Sequence, residues 1–521
     1  MKRRTLLIGA SVAAAGAAGA TVALAPLAAE PDGEKDCGNV LPAVAAAQAR
    51  QAAPEPAWAQ KGGTVNDASC LSRTAIAGIV APRSEKEVAD ALAYARVAGL
   101  TVSPAGVRHS MGGQAFRRGG IMLDMRQMNR IELHPETSTV TVGSGATWHD
   151  IQNVIHPRFA VKAMQSTDIF TVGGSISVNA HGMDHQAGAI MDSIRSLRVM
   201  LADGRVVTAS REENPELLRL VVGGYGLFGI ILSADLEVVP NAIYASGREL
   251  VATADLPKRL AAIIADPSVG LMYTHLSTAP GSLLDEALIY TYRRTDDAGA
   301  ERAKLGEVGW VRMRRLTVNL AKKSPLFQDL KWWSEKNLEH RFESCTVTRA
   351  QAMRDGESCL VSRNDPMHDS VPYLRNAMKN DTDILQEYFV PRERLVPFIH
   401  GLKGIVRRND ANLLNASVRV VGQEHNALSY APRPAYSVVL YFNQRTDAGG
   451  NARMARLTSD LIDLTLREGG RFFLPYQLHY SPEQLEHSYP EIGGFFAAKR
   501  KWDPDGRFSN SWYARYAPEL G

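Results

Sequence analysis

Ser103-Pro104-Ala105-Gly106-Val107-Arg108-His109-Ser110-Met111-Gly112-Gly113-Gln114 decides how the rest of the chain reads. Pro104 and Gly106 end a strand and turn the backbone, and Gly112-Gly113 let it come close to a ligand. A loop of this kind aims successive N–H groups into one concavity, a nest suited to a diphosphate. His109 puts a nucleophilic imidazole in that nest, beside the small hydroxyl of Ser110. Upstream, residues 76–80 read as a short buried strand ended by Pro82, and Ser84-Glu85-Lys86-Glu87 is a capping box opening a helix. Val88, Ala91, Leu92 and Ala95 form its apolar stripe, and Gly99 stops it. Residues 100–102 are the next strand, so the phosphate loop follows the second strand of a βαβ unit. In the usual dinucleotide fold it follows the first.

Downstream, short strands are predicted at 121–124, 131–133 and 139–142, with a helix near 148–155. A second glycine loop runs from Thr171 through Gly173-Gly174 and Ser177 to Gly182, preceded by Thr167 and Asp168. A hairpin, 197–200 to 205–208, turns at Asp203-Gly204. A third cluster, Gly223-Gly224-Tyr225-Gly226-Leu227-Phe228-Gly229-Ile230-Ile231, leads into 236–240. Three glycine loops, each beside a strand, predict one extended ligand clamped along its length. From 241 to 490 the pattern changes. Strand-like runs at 286–291, 384–390, 417–421, 436–442 and 471–474 alternate with helices such as 452–467. That predicts a mainly antiparallel sheet with helices on one face. The stretch 300–365 is irregular, basic and aromatic (Trp310, Trp332, Trp333) and reads as an insertion. Covering the active site, touching a membrane surface and plain packing are all open to it.

At 521 residues and 45% hydrophobic, the chain buries a large core and is expected to form two or three domains. The net charge is +4, and no basic tract with interleaved aromatics occurs, which argues against nucleic acid as a partner. Lys2, Arg3 and Arg4 precede an uncharged, Ala/Gly-rich run over 5–29, the pattern of an export signal. The paired arginines before Leu6-Leu7 resemble a twin-arginine signal. Export to a periplasmic or other extracytoplasmic space is expected, with retention as a membrane anchor as the alternative. Residues 30–71 read as a linker and an irregular N-terminal arm. Cys37, Cys70, Cys345 and Cys359 allow three disulfide pairings, Cys345 with Cys359 being the most local. No Cys or His pair has zinc spacing, and no metal site is predicted.

The three loops in this order, with His109-Ser110 in the first, resemble the vanillyl-alcohol oxidase / p-cresol methylhydroxylase class of FAD proteins over about 72–240. The resemblance implies an α+β chain: a two-subdomain FAD-binding domain at 72–240, an α+β cap over the substrate at 241–490, and a segment at 491–521 returning to the flavin. It implies FAD as cofactor, with His109 at the position that in many members bonds covalently to the isoalloxazine. The implied FAD contacts are Pro104, Ala105, Gly106, Val107, Arg108, His109, Ser110, Gly112 and Gln114 on the first loop. Those on the second are Thr167, Asp168, Thr171, Gly173, Gly174, Ser177 and Gly182. The third loop and C-terminal segment add Gly226, Gly229, Ile230, Ile231 and Asn510. The cap resembles the sugar-alcohol and aldonolactone oxidase branch through Glu387-Tyr388-Phe389-Val390-Pro391, Val418-Arg419-Val420 and the run Lys501 to Asn510. Ala180-His181-Gly182 also fits, with His181 expected to be structural. Where that branch carries Pro-His-Trp-Gly-Lys, this chain has Pro475-Tyr476-Gln477-Leu478-His479. A cationic Lys is thus replaced by His479, a group that ordinarily titrates near neutrality.

With flavin as the electron sink, the chain must orient the donor carbon and take a proton. Glu387 is the first candidate base, Arg419 orients a substrate oxygen or lowers the carboxylate pKa, and Tyr476 and His479 share the proton. A Glu387–Arg419 ion pair, a packing role for His479 and a loop-capping role for Asp168 are the plain alternatives. The expected activity is oxidation of a CH–OH group in a polyol, sugar or aldonolactone-like small molecule, with dioxygen or a membrane or periplasmic carrier as electron acceptor. Asp168 lies near the catalytic aspartate of cytokinin dehydrogenases, which keeps amine oxidation as a second reading. A flavin-carrying electron-transfer protein is the third.

Overall fold

Short apolar runs between 54 and 240 fold into two sheets in the computed structural model, which describes residues 27, 54–165, 167–295, 305, 311–337, 360–368 and 380–520. The first sheet has the order Trp58–Lys61, Gly78–Val80, Ile121–Asp124, Val102–Ala105, with the last three strands parallel. The helix Glu85–Ala98 makes the crossover. Ser84 accepts from the Glu87 N–H at its start, and Gly99, at φ +68°, ends it. The two strands flanking this helix are parallel but not adjacent, because Ile121–Asp124 lies between them. All four of its residues are buried, as suits a central strand with cover on both faces.

The second sheet is antiparallel, ordered Val206–Ser210, Ile194–Met200, Ile230–Pro240, Thr139–Gly143, Ile131–His134, with Phe159–Val161 also on Ile230–Pro240. The hairpin Ile194–Met200 to Val206–Ser210 turns at Asp203-Gly204 as predicted, with Gly204 at φ +88°.

The third sheet is antiparallel throughout and has eight strands. Their order is Leu360–Ser362, Ile243–Ala252, Glu286–Arg294, Val269–Leu276, Asn412–Val421, Ala435–Arg445, Asp381–Pro391, Arg471–Phe472. Ile243–Ala252 and Val269–Leu276 escaped the sequence reading. The former keeps most of its residues only half-buried and so lacks a clean alternation. Within 300–365, where irregular chain was expected, the structure has the helices Val311–Ala321 and Pro325–Asn337.

Asp381–Pro391 shows how a two-residue period divides labour between the faces of a sheet. Gln386 and Tyr388 point to the covering helices Leu395–Arg408 and Ala448–Arg467. The Gln386 amide donates to Thr458 Oγ1 (2.7 Å), and the Tyr388 ring lies 6.0 Å from that of Phe398. Glu387 and Phe389 point the other way, to His181 of the second glycine loop. The chain is an α+β protein whose cap sheet faces the glycine loops. Cys70 is disulfide-bonded, while Cys37, Cys345 and Cys359 lie outside the described residues, as does 1–26. Among the described residues no helix is long and apolar enough to cross a membrane.

Candidate active site and cofactor cradle

The three glycine loops meet, and their glycines are where they touch. A Cβ on Gly106 would sit 1.9 Å from Thr171 Oγ1, one on Gly226 2.9 Å from Pro104 Cγ, and one on Gly173 2.8 Å from Ser144 Cβ. Gly182 would press a Cβ to 1.4 Å from the Met164 carbonyl oxygen. Backbone bonds tie the third loop to the second: Gly223 N donates to Ile176 O and Tyr225 N to Ser177 O, both at 2.9 Å.

The first loop is held from two sides. Asp67, buried in the N-terminal arm, accepts from Gly113 N (3.1 Å), and Arg108 O, at a residue with φ +56°, accepts from Ala68 N (3.0 Å). On the cap side Gln114 donates to Leu474 O (2.8 Å) and Tyr476 O (3.3 Å) and accepts from Gly112 N (2.9 Å). Met111 N donates to Pro475 O (2.8 Å). The His109 ring meets Phe170 of the second loop edge-on, with centroids 4.7 Å apart.

The C-terminal segment returns to this place. Phe508 bridges Val102 in parallel register, Ser103 Oγ donates to Ser509 O (2.5 Å), and the Asn510 amide donates to Tyr225 O (2.9 Å). Ser177 Oγ bonds Gly173 O (2.7 Å), and the side chains of Ile230 and Ile231 lie in the core, so those two residues have only backbone to offer a ligand.

Buried polar atoms without partners test whether this cradle suits a dinucleotide. Ser144 Oγ, Gln165 Nε2 and Thr167 Oγ1 have none among the described residues. Each would cost about 1–3 kcal/mol if left unbonded. They adjoin the second loop, where ribose, phosphate or ring heteroatoms supply such bonds, so the residues fit FAD.

Across from the loops, the cap sheet gathers a polar cluster. His181 Nε2 donates to Glu387 Oε1 (2.6 Å), Ser437 Oγ to the same oxygen (2.5 Å), and Tyr476 OH reaches Glu387 Oε2 at 3.4 Å. Burial pushes the Glu387 carboxyl up. The His181 ring, Arg419 and the Ser437 hydroxyl outweigh that, and the net lies below its ordinary value of 4.5. Burial raises the Tyr476 phenol well above 10, so it remains protonated.

Arg419 stands on the neighbouring strand opposite Ser437 and forms no ion pair with Glu387 among the described residues. Its Nε is buried and unbonded, and it acts on Glu387 through its field. The anticipated cross-strand pair is thus replaced by Glu387–His181. His181 itself, expected to be structural, carries the bond that orients the carboxylate.

His479 requires the second correction. Burial, with Arg515 nearby, pushes its imidazole down to about 4, so it is neutral at pH 7 and no surrogate for a cationic Lys. Asp168 is paired with His149 (Nδ1 to Oδ2, 2.9 Å) on the helix Trp148–Ile155, and no described bond joins it to the Glu387 cluster.

Tyr273 and His275, on the strand beside Arg419, also escaped the sequence reading. Burial holds the His275 imidazole at about 4, and its Nδ1 is buried without a partner. Tyr273 stacks on Tyr290 at 4.7 Å and 10°. The only sequence signal was the alternation Tyr273-Thr274-His275, too short to stand out.

Beneath the second loop, Glu424 accepts from Asn179 Nδ2, Ser429 Oγ (3.1 Å) and Ala431 N (3.0 Å), yet burial pushes its carboxyl up to about 8. The fold therefore binds a proton that the unfolded chain releases above about 4.5. Stability is expected to fall as pH rises from about 5 to 8, by up to ~1.4 kcal/mol per pH unit, and to level off above. Melting curves across that range test this. Glu424→Gln is expected to flatten the slope by one proton, and an unchanged slope would assign the effect elsewhere.

A family model described as an FAD binding domain matches residues 76–210. Decaprenylphosphoryl-beta-D-ribose oxidase of Mycolicibacterium smegmatis is 24% identical over 429 residues, 80% of this chain and 89% of that protein. FAD-linked oxidoreductase fogF of Aspergillus ruber is 30% identical over 182 residues, 35% of this chain and 37% of that protein. Cytokinin dehydrogenase 2 of Arabidopsis thaliana is 31% identical over 162 residues, 30% of this chain and 32% of that protein. These matches support an FAD-binding domain of the p-cresol methylhydroxylase type. FAD is the cofactor, and the chain is an FAD-dependent oxidoreductase.

Proposed function

We propose that the protein oxidises a CH–OH group of a sugar, polyol or related sugar derivative. The observation carrying this is the Glu387 cluster: a buried ionised carboxylate, a protonated phenol and a guanidinium with a buried, unbonded Nε together on the cap face opposite the glycine loops. FAD held by the three glycine loops would supply the two-electron acceptor. The chain's residues do the rest. Arg419 and neutral His275 bond hydroxyl oxygens, since a guanidinium donates and an uncharged imidazole does either. Glu387, with lone pairs beyond those His181 and Ser437 occupy, accepts the hydrogen of the reacting hydroxyl, and Tyr476 relays the proton. The oxidase from M. smegmatis, named for a ribose derivative and similar along most of its length, supports a sugar hydroxyl over an amine. The pairing of Asp168 with His149 supports the same choice.

An anaerobic panel of sugars, alditols, aldonolactones and amines, read as loss of flavin absorbance, tests the reading. Bleaching by an alcohol donor is expected. Bleaching by amines alone would overturn it. Dioxygen or a membrane or periplasmic carrier completes the cycle, and the basic, apolar N-terminus supports export.

His109, placed on the first loop against Phe170, is the residue through which we propose covalent attachment of the flavin. Acid-denatured protein is expected to stay yellow, and His109→Ala to release its colour. Colour released from the wild type would refute the link while leaving FAD binding intact.

A further inference from the structure

The helix Pro325–Asn337 has one face in the protein and one that nothing among the described residues covers. Inward, Trp332 is buried against Tyr290, and its indole donates to Glu286 (2.6 Å), which Lys336 also reaches (2.8 Å). Outward, Leu326, Leu330 and Trp333 recur at a helical spacing and are 71%, 51% and 51% exposed. Met313 of the preceding helix is 57% exposed. A stripe of this kind is costly in water and suits a bilayer interface, where Trp and Leu are favoured.

Two further observations specify the occupant. Between 311 and 337 the acids are Asp329 and Glu335; Glu335 is bonded to Lys331, while Asp329, beside Leu330, is exposed, as are Arg312 and Lys323. The exposed charges of these two helices and their connection are thus two cations and one carboxylate, a net positive balance beside the stripe. The Leu27 carbonyl accepts from Asn319 (2.7 Å), so this one residue of the uncharged stretch sits against the same pair of helices.

We propose that the helices Val311–Ala321 and Pro325–Asn337 dock on an anionic phospholipid surface through Leu326, Leu330, Trp333 and Met313, with Arg312 and Lys323 on the lipid phosphates. The inner face of the same helix continues through Trp332 and Tyr290 to Tyr273, beside Arg419. Docking would thus bring the rim of the substrate site to the lipid surface, independently of which hydroxyl is oxidised.

Quenching of tryptophan fluorescence by brominated phosphatidylcholine vesicles, with and without phosphatidylglycerol, tests this on the full FAD-bound chain. Quenching is expected to need phosphatidylglycerol and to fall several-fold in Trp333→Phe. Vesicle-bound protein is expected to fall about tenfold in the double variant Leu326→Asp with Leu330→Asp, at unchanged flavin content. Equal quenching in Trp333→Phe would overturn the proposal, including the case in which the N-terminal run alone holds the protein to vesicles. No binding to anionic vesicles would also overturn it, as would a wild-type dimer that the double variant converts to monomer.

Discussion

Replacing Glu387 by Gln is expected to slow flavin reduction by any donor that bleaches the wild type about 10²- to 10⁴-fold, the usual cost of losing a positioned proton acceptor. The amide keeps the size of the side chain and an oxygen for Ser437. It removes the charge that His181, Ser437 and Tyr476 converge on. In barrier terms the loss is about 3–5 kcal/mol. Anaerobic stopped-flow reduction is the measurement, with flavin content and far-ultraviolet dichroism as controls for folding. A variant reduced within threefold of the wild-type rate would remove Glu387 from the chemistry. It would direct attention to the buried, unbonded Nδ1 of His275.

The second large effect concerns the cofactor. Gly106→Val is expected to yield protein with little or no FAD, because its Cβ would fall 1.9 Å from Thr171 Oγ1 and 3.0 Å from Thr171 Cβ. Thr171 is buried, precedes the helix Val172–Ser177 and bridges Thr147, so it has little room to retreat. Overpacking of this kind costs about 1–3 kcal/mol, or roughly a 5- to 150-fold loss of affinity if all of it falls on the loops. The ratio of flavin to protein absorbance after gel filtration reads it directly. Retention of full colour would mean that the first and second loops separate without consequence to the cofactor.

The cofactor cradle was legible because glycine at a crowded backbone position has no substitute, so Gly106, Gly173, Gly182 and Gly226 advertise close approach by their identity alone. Glu387 and Arg419 were legible through the motifs around them. What joins Glu387 to His181 was not, because 206 residues of chain separate the partners and nothing local in Ala180-His181-Gly182 announces a carboxylate. His479 was misjudged for a related reason. An imidazole takes its proton affinity from burial and from Arg515, neither of which is written beside it. The order of the first sheet was hidden too, since a crossover fixes the direction of its two strands but not what slips between them.

The alternation along Asp381–Pro391 constrains how new substrates can be acquired. Exchanges at 387 and 389 alter the chemistry of the chamber, while exchanges at 386 and 388 disturb only the helical backing. Deleting a single residue just before Glu387 would rotate every later position by half a turn. Tyr388 would then face the glycine loops in place of Glu387, and the carboxylate would be turned under the covering helices. Specificity along this strand is therefore free to drift by substitution at every second position and is closed to change by insertion or deletion.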